Sequence, residues 1–208
     1  MKNYLLPACL IILLSCNSAQ QPDKTTVAES KERIIAQKEP ANPYGGEIDA
    51  SAMDMSYYPV DYPTLKMNHL LTAPPLARVI YSRPHKDGRK IFGKLVPYNQ
   101  QWRLGANEAS EIEFFKTTSI QQKKINPGRY TIYCIPEETK WTIVLNKDIF
   151  TWGKVIDSTK DLVKFEIPVE KSTIVCEYFT MLFQDQKNNH AVLLMAWDDV
   201  VARLPIEF

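Results

Sequence analysis

The sequence predicts an all-β domain, an antiparallel β-sandwich or flattened barrel of about eight short strands with an extended N-terminal arm. Three observations carry this prediction. Short runs of alternating apolar and polar residues recur at close spacing from Ala77 to the last residue, Phe208. Turn signals divide them, as at Asn126-Pro127-Gly128, Pro136-Glu137-Glu138 and Asn188-Asn189. No long apolar stretch with helical period follows residue 65.

The first fifteen residues read as an export signal. Lys2 supplies a positive start, and Tyr4 to Leu14 form an apolar run too short to anchor stably across a bilayer. The run ends Leu13-Leu14-Ser15-Cys16, which resembles the bacterial lipoprotein box. That resemblance implies lipid on Cys16, cleavage before it and firm membrane attachment by several acyl chains. A plain secretory signal is the alternative. Asn17 after the cysteine implies, by the enteric sorting rule, an outer-membrane address in the cell envelope. Residues 16–50, rich in Gln, Pro, Lys, Glu, Ala and Ser, lack the apolar surface to offset ordering entropy, so a flexible tether is expected. Without Lys2, basic and acidic side chains number 24 each, and no global field invites nucleic acid.

Residues 51–208 then form a single domain, beginning with an arm over 51–76. Met53, Met55, Tyr57, Tyr58 and Tyr62 call for packing, while Pro59 and Pro63 forbid a central strand. Strands are expected at Val79 to Arg83, Ile112 to Phe114, Tyr130 to Ile135 and Trp141 to Leu145. Four more are expected at Val163 to Val169, Cys176 to Phe183, Ala191 to Trp197 and Ala202 to Phe208. The run from Tyr130 to Ile135 is apolar on both faces, the mark of a central strand. Cys134 and Cys176 lie on separate strands; an oxidising compartment permits a disulfide, and two thiols packed as small hydrophobes are the alternative. No metal site or cofactor is predicted, because no cysteine pair has zinc spacing and His69, His85 and His190 stand far apart.

The segment from Ser82 to Ser110 concentrates groups suited to hydrogen-bond a ligand: Arg83, His85, Arg89, Trp102, Arg103, Asn107 and Glu108. One reading is a closed network in which an arginine fork bridges Glu108 and Asn107 caps a turn. The other is a pocket in which an arginine meets a ligand carboxylate or phosphate and Trp102 offers a stacking face. Catalysis would have to use Glu108 or His85 as acid or base. Glu111 alternates with Ile112, which predicts exposure rather than a carboxylate pair with Glu108. No Gly-x-Ser-x-Gly elbow or phosphate loop occurs. Trp141, Trp152 and Trp197 are expected in the core or covering the sheet, whereas an exposed platform of Trp102 and Trp152 would suggest sugar binding.

Several motifs together resemble the bacterial domain-of-unknown-function 2911 family. They are Tyr81-Ser82-Arg83-Pro84, Gly88-Arg89-Lys90-Ile91-Phe92-Gly93, Leu95-Val96-Pro97-Tyr98 and Trp102-Arg103-Leu104-Gly105-Ala106-Asn107-Glu108-Ala109. Gly128-Arg129-Tyr130-Thr131, Trp141-Thr142-Ile143 with Asn146, Trp152-Gly153 and Trp197-Asp198 before Leu204-Pro205-Ile206 also fit. Asp87 stands where many members have lysine, and Asn99 where glycine is usual. The resemblance implies an exported or lipid-anchored protein of Bacteroidetes-type bacteria and brings no activity with it. The sequence therefore points to a non-catalytic ligand-binding or accessory module on the membrane, its partner an unknown small ligand or envelope protein. The alternatives are a cofactor-free hydrolase, carbohydrate-active among the options, and a structural member of an envelope complex with the Met/Tyr arm at its interface.

Overall fold

In the computed structural model, residues 51–208 are described. The expected signal over 1–15, the lipidated Cys16 and the tether over 16–50 lie outside the described residues. The domain holds nine strands in one antiparallel sheet. In chain order they are β1 (Met53–Tyr58), β2 (Ala77–Ser82), β3 (Glu111–Phe114), β4 (Thr118–Ile120), β5 (Lys123–Ile125), β6 (Gly128–Pro136), β7 (Lys140–Asn146), β8 (Asp161–Asp185) and β9 (His190–Glu207). In space they run β1-β2-β3-β6-β7-β8-β9-β4-β5. The helix α1 (Tyr62–Met67) is a single short element after β1.

β8 organises the architecture. At roughly 3.3 Å per residue, its 25 residues would extend about 80 Å if straight, far beyond a domain this size, whose radius of gyration is about 15 Å. It bends instead, with register shifts between Lys171 and Cys176 and between Cys176 and Thr180. Its first part pairs with β7 and its second with β9. Both free edges of the sheet then return to this strand. On the β1 side the Phe183 N–H donates to Ser56 Oγ (3.0 Å) and the Tyr58 hydroxyl donates to Asp185 Oδ1 (3.2 Å). On the β4–β5 side Gln121 and Lys123 donate to the carbonyls of Glu166 (2.7 Å) and Lys164 (3.0 Å). The result is two layers sharing a corner strand, the all-β sandwich expected.

The alternation read from the sequence sets which side chains fill the space between the layers. Ala77, Val79 and Tyr81 of β2, Ile112 and Phe114 of β3, Phe165 and Ile167 of β8 and Leu193, Met195 and Trp197 of β9 are buried in one cluster. β6 is buried over Tyr130 to Cys134, as its two-sided apolar run requires.

Three details differ from expectation. The separate strands at Val163–Val169 and Cys176–Phe183 are continuous, as are those at Ala191–Trp197 and Ala202–Phe208; bulges bend a strand without ending its pairing. The hairpin β4–β5 was not expected, since strands of three residues carry no readable alternation. Finally, the arm is not merely laid over the surface: Met53–Tyr58 pairs residue by residue with β2 as an edge strand that stops at Pro59.

Candidate functional site

The long connection between β2 and β3 builds the site. It is tied down by its backbone: Trp102 and Cys134 of β6 exchange hydrogen bonds at 2.7 and 2.8 Å, Asn99 donates to Pro136 and Phe179 of β8 donates to Pro84. Its apolar side chains Ile91, Phe92, Val96, Trp102 and Leu104 are buried in the core. Gly105 is required where the segment crosses β2, because a Cβ there would lie 2.9 Å from the Ser82 carbonyl oxygen. A connection held this way presents its polar residues on a rigid base.

Arg89, Trp102 and Arg103 line one open cavity of about 370 Å³ together with Ser51, Lys154 and Trp197. Arg89 donates through Nε to the Lys86 carbonyl (2.9 Å) and through Nη2 to that of His85, so its turn holds the guanidinium in place. Arg103 is half-buried and makes one long contact, Nη1 to the Trp152 carbonyl at 3.5 Å; burial pushes its pKa below the ordinary arginine value. Neither arginine forms an ion pair among the described residues, nor does the exposed Lys154. No Asp or Glu lines the cavity among the described residues.

Trp102 contributes an edge rather than a stacking face. It is 8% exposed, stacked on Trp197 at 5.9 Å, with Phe92, Trp141 and Phe179 crowding its other sides. Its indole N–H reaches Gly105 O at 3.4 Å. Trp197 also lines the cavity, and its buried indole N–H has no acceptor among the described residues.

The other predicted residues lie elsewhere. Arg83 pairs with Asp54 at 3.3 Å and donates to Thr180 Oγ1 at 3.1 Å, joining β1 to β8. His85 stacks on Tyr178 with ring centroids 4.4 Å apart, its Nε2 3.5 Å from Glu177. Asn107 sits in the loop with φ +59 and does not line the cavity. Glu108 is exposed and unpaired among the described residues, and lines a neighbouring cavity of about 340 Å³. The arginine–Glu108 bridge is therefore absent, and Arg83, Asn107 and Glu108 stand outside the cavity of Arg89 and Arg103.

Two expectations are corrected. Glu111 is not solvated: its carboxylate is bound by Arg129 at 2.7 Å with its side chain 16% exposed. Trp152 is not a core residue but 53% exposed. The sequence also missed Lys154, Ser51 and Trp197 as cavity residues. Trp152-Gly153 is among the family motifs, but nothing local tells which distant loop it meets. Cys134 and Cys176 are both free thiols, so the disulfide option is not realised. Cys134 is fully buried, which pushes its pKa well up, and Cys176 is half-buried.

No curated protein and no solved structure matches this chain. The family described as "Protein of unknown function (DUF2911)" matches over residues 73–206, the span from just before β2 almost to the end of β9. With the motifs of the β2–β3 connection inside that span, the chain belongs to the DUF2911 family.

Proposed function

We propose that this protein is a lipid-anchored envelope protein, attached through Cys16, whose β domain binds a small anionic ligand without transforming it. One observation carries the binding role: Arg89, Arg103 and Lys154 converge on a single cavity whose described lining contains no carboxylate. Guanidinium and ammonium groups drawn together without counter-charge repel one another, and a carboxylate or phosphate relieves that repulsion. The cavity's size falls within the usual range for small-molecule sites.

The catalytic candidates receive no such support. Glu108 lies in the neighbouring cavity and His85 faces Glu177 beneath Tyr178, so the two do not share a cleft. A structural role beside an envelope partner keeps one specific observation, the exposure of Met53, Met55, Met67 and Leu70 along the arm. Affinity capture from intact envelopes would recover a stoichiometric partner if that role holds.

The binding role is tested by thermal unfolding of the chain from Asn17 onward in phosphate, citrate and chloride at equal ionic strength. Binding to the folded state alone raises Tm by mass action. Phosphate or citrate should raise it above chloride, and Arg103→Ala should abolish the increment; equal Tm in all three salts overturns the reading. Labelled palmitate incorporated by the full chain and lost in Cys16→Ser tests the anchor.

A further inference from the structure

The loop after β7 forms the wall between the two cavities: Phe150 and Thr151 line that of Glu108, and Gly153 and Lys154 line that of Arg103. This loop carries large apolar side chains facing solvent, Phe150 at 78%, Trp152 at 53% and Val155 at 83% exposed. Leu95, which also lines the Arg103 cavity, is 45% exposed. An apolar rim thus adjoins a cationic cavity. Scattered exposed hydrophobic residues need no explanation, but several around one charged recess do.

Charge and chain order argue for what covers this rim. Ser51, the first described residue, lines the cavity, and residues 1–50 precede it in the chain. The lipidated cysteine expected at position 16 belongs to that stretch. The bilayer holding such an anchor lies within reach of the face where the chain enters.

We propose that this face docks on an anionic lipid surface, with a headgroup phosphate in the cavity of Arg89, Arg103 and Lys154 and with Leu95, Phe150, Trp152 and Val155 at the headgroup level. This rests on the anion-binding reading of the cavity and names the source of the anion. Tryptophan and phenylalanine favour the membrane interface, where an apolar ring can leave water while polar groups stay wet. Basic groups near an anionic leaflet add attraction that falls off within a Debye length, and Lys94, exposed beside Leu95, extends the basic edge. Of the acids near these segments, Asp148 pairs with Lys160, Asp157 is held by Thr159 and Lys160, Asp198 lies 3.8 Å from Lys86, and Glu108 lines the other cavity, while Asp87 is exposed in the turn before Arg89.

The test uses the chain from Asn17 onward, which keeps every described residue and carries no acyl group. It is sedimented with vesicles of phosphatidylcholine alone or mixed with phosphatidylglycerol, and in parallel its Tm is measured in inorganic phosphate. The expected result is binding to the anionic vesicles, release by high salt, about fivefold weaker binding for Lys154→Ala, and loss for the pair Phe150→Ala with Trp152→Ala. Unfolding curves of these exposed-site variants without vesicles should match the parent.

Failure of the docking and failure of the cavity separate cleanly. No vesicle binding with a Tm increment in phosphate that Arg103→Ala removes would overturn the docking and leave a site for a free anion. Neither response would overturn both. Vesicle binding that survives Arg103→Ala and Trp152→Ala alike would place the lipid contact on another surface. Self-association in solution that disappears in Trp152→Ala would show that a second copy covers the rim, and would likewise overturn the proposal.

Discussion

The ring of Phe208, the last residue, stacks on that of Tyr58, the last of β1, with centroids 4.8 Å apart and planes 21° from parallel. Phe208 also lies 6.4 Å from Phe114 of β3 and donates its N–H to the Asn189 carbonyl. The chain's end therefore locks the edge strand onto the second layer. Phe208→Ala removes an aromatic pair and apolar burial, a loss of about 1–2 kcal/mol, and should lower Tm by roughly 2–8 °C. Deleting residues 202–208 strips Ala202, Leu204 and Ile206 from the core and should abolish cooperative unfolding in a denaturant titration. Unchanged Tm in the truncated chain would refute the lock.

Trp102 and Trp152 give a matched pair of opposites. Trp102 stands among four aromatic rings at 8% exposure, and Trp102→Ala should destabilise by about 3–5 kcal/mol. Trp152 stands in solvent, and Trp152→Ala should stay within about 0.5 kcal/mol of the parent. Urea midpoints of the two variants decide it, and equal midpoints would contradict the assignment of one to the core and the other to the rim.

Gly153 fixes the loop that supplies Lys154. Its φ is +78, and a Cβ there would sit 2.9 Å from Ala109 Cβ and 3.0 Å from Arg103 Cβ. Gly153→Ala must therefore push the loop away from Arg103, at about 1–2 kcal/mol for the backbone and the contact together. The anion-dependent rise in Tm should shrink with it. An unaltered anion response would mean that the loop's placement does not shape the cavity.

The two thiols should differ sharply. Cys134 is fully buried in the central strand β6, where the thiolate is disfavoured, while Cys176 is half-buried on β8. In the folded chain from Asn17 onward, Ellman's reagent should label one thiol at once and the second only in denaturant. Peptide mapping should find the early label on Cys176. Two fast thiols, or none, would contradict this placement.

Alkaline pH should destabilise the domain through two buried phenols. Tyr81 donates to Asp54 at 3.1 Å and Tyr133 to Asp161 at 2.9 Å, and burial, first of all, raises both pKa values above the ordinary tyrosine value. A raised folded pKa means that the folded state holds the proton more tightly. The stability from this source is thus intact below about pH 10, where the unfolded phenol titrates, and is lost as pH climbs toward the folded values. Tyr81→Phe and Tyr133→Phe should each flatten the alkaline limb of a stability–pH curve. A limb unchanged in both variants would exclude the phenols as its cause.

The cavity shows where local reading stops. Arg89 and Arg103 share one segment of sequence and share the site, yet Arg83, Asn107 and Glu108 of that segment do not join them. Arg83 follows the alternation of β2 to its end and is taken by Asp54, a partner on β1 that no spacing rule selects. Lys154 enters the cavity from a loop far along the chain because Gly153 nests against Ala109 and Arg103. Glu111 obeys the alternation that sets it opposite the buried face of β3, but cross-strand pairing of β3 with β6 brings Arg129 to cover it.

Alternation in the sequence specified most of the sheet: a two-residue period sends alternate side chains to opposite faces, so it names the longer strands and their inner faces before any partner is known, though not the three-residue strands β4 and β5 or the pairing of β1. The sequence determined family membership too, because the motif residues are contiguous in the chain. That one bent strand joins both layers, which arginines meet and which are neutralised, and which tryptophan faces water emerge from the folded chain alone. Those outcomes depend on contacts between segments far apart in sequence, and the energy of such a contact is absent until the fold has closed the distance.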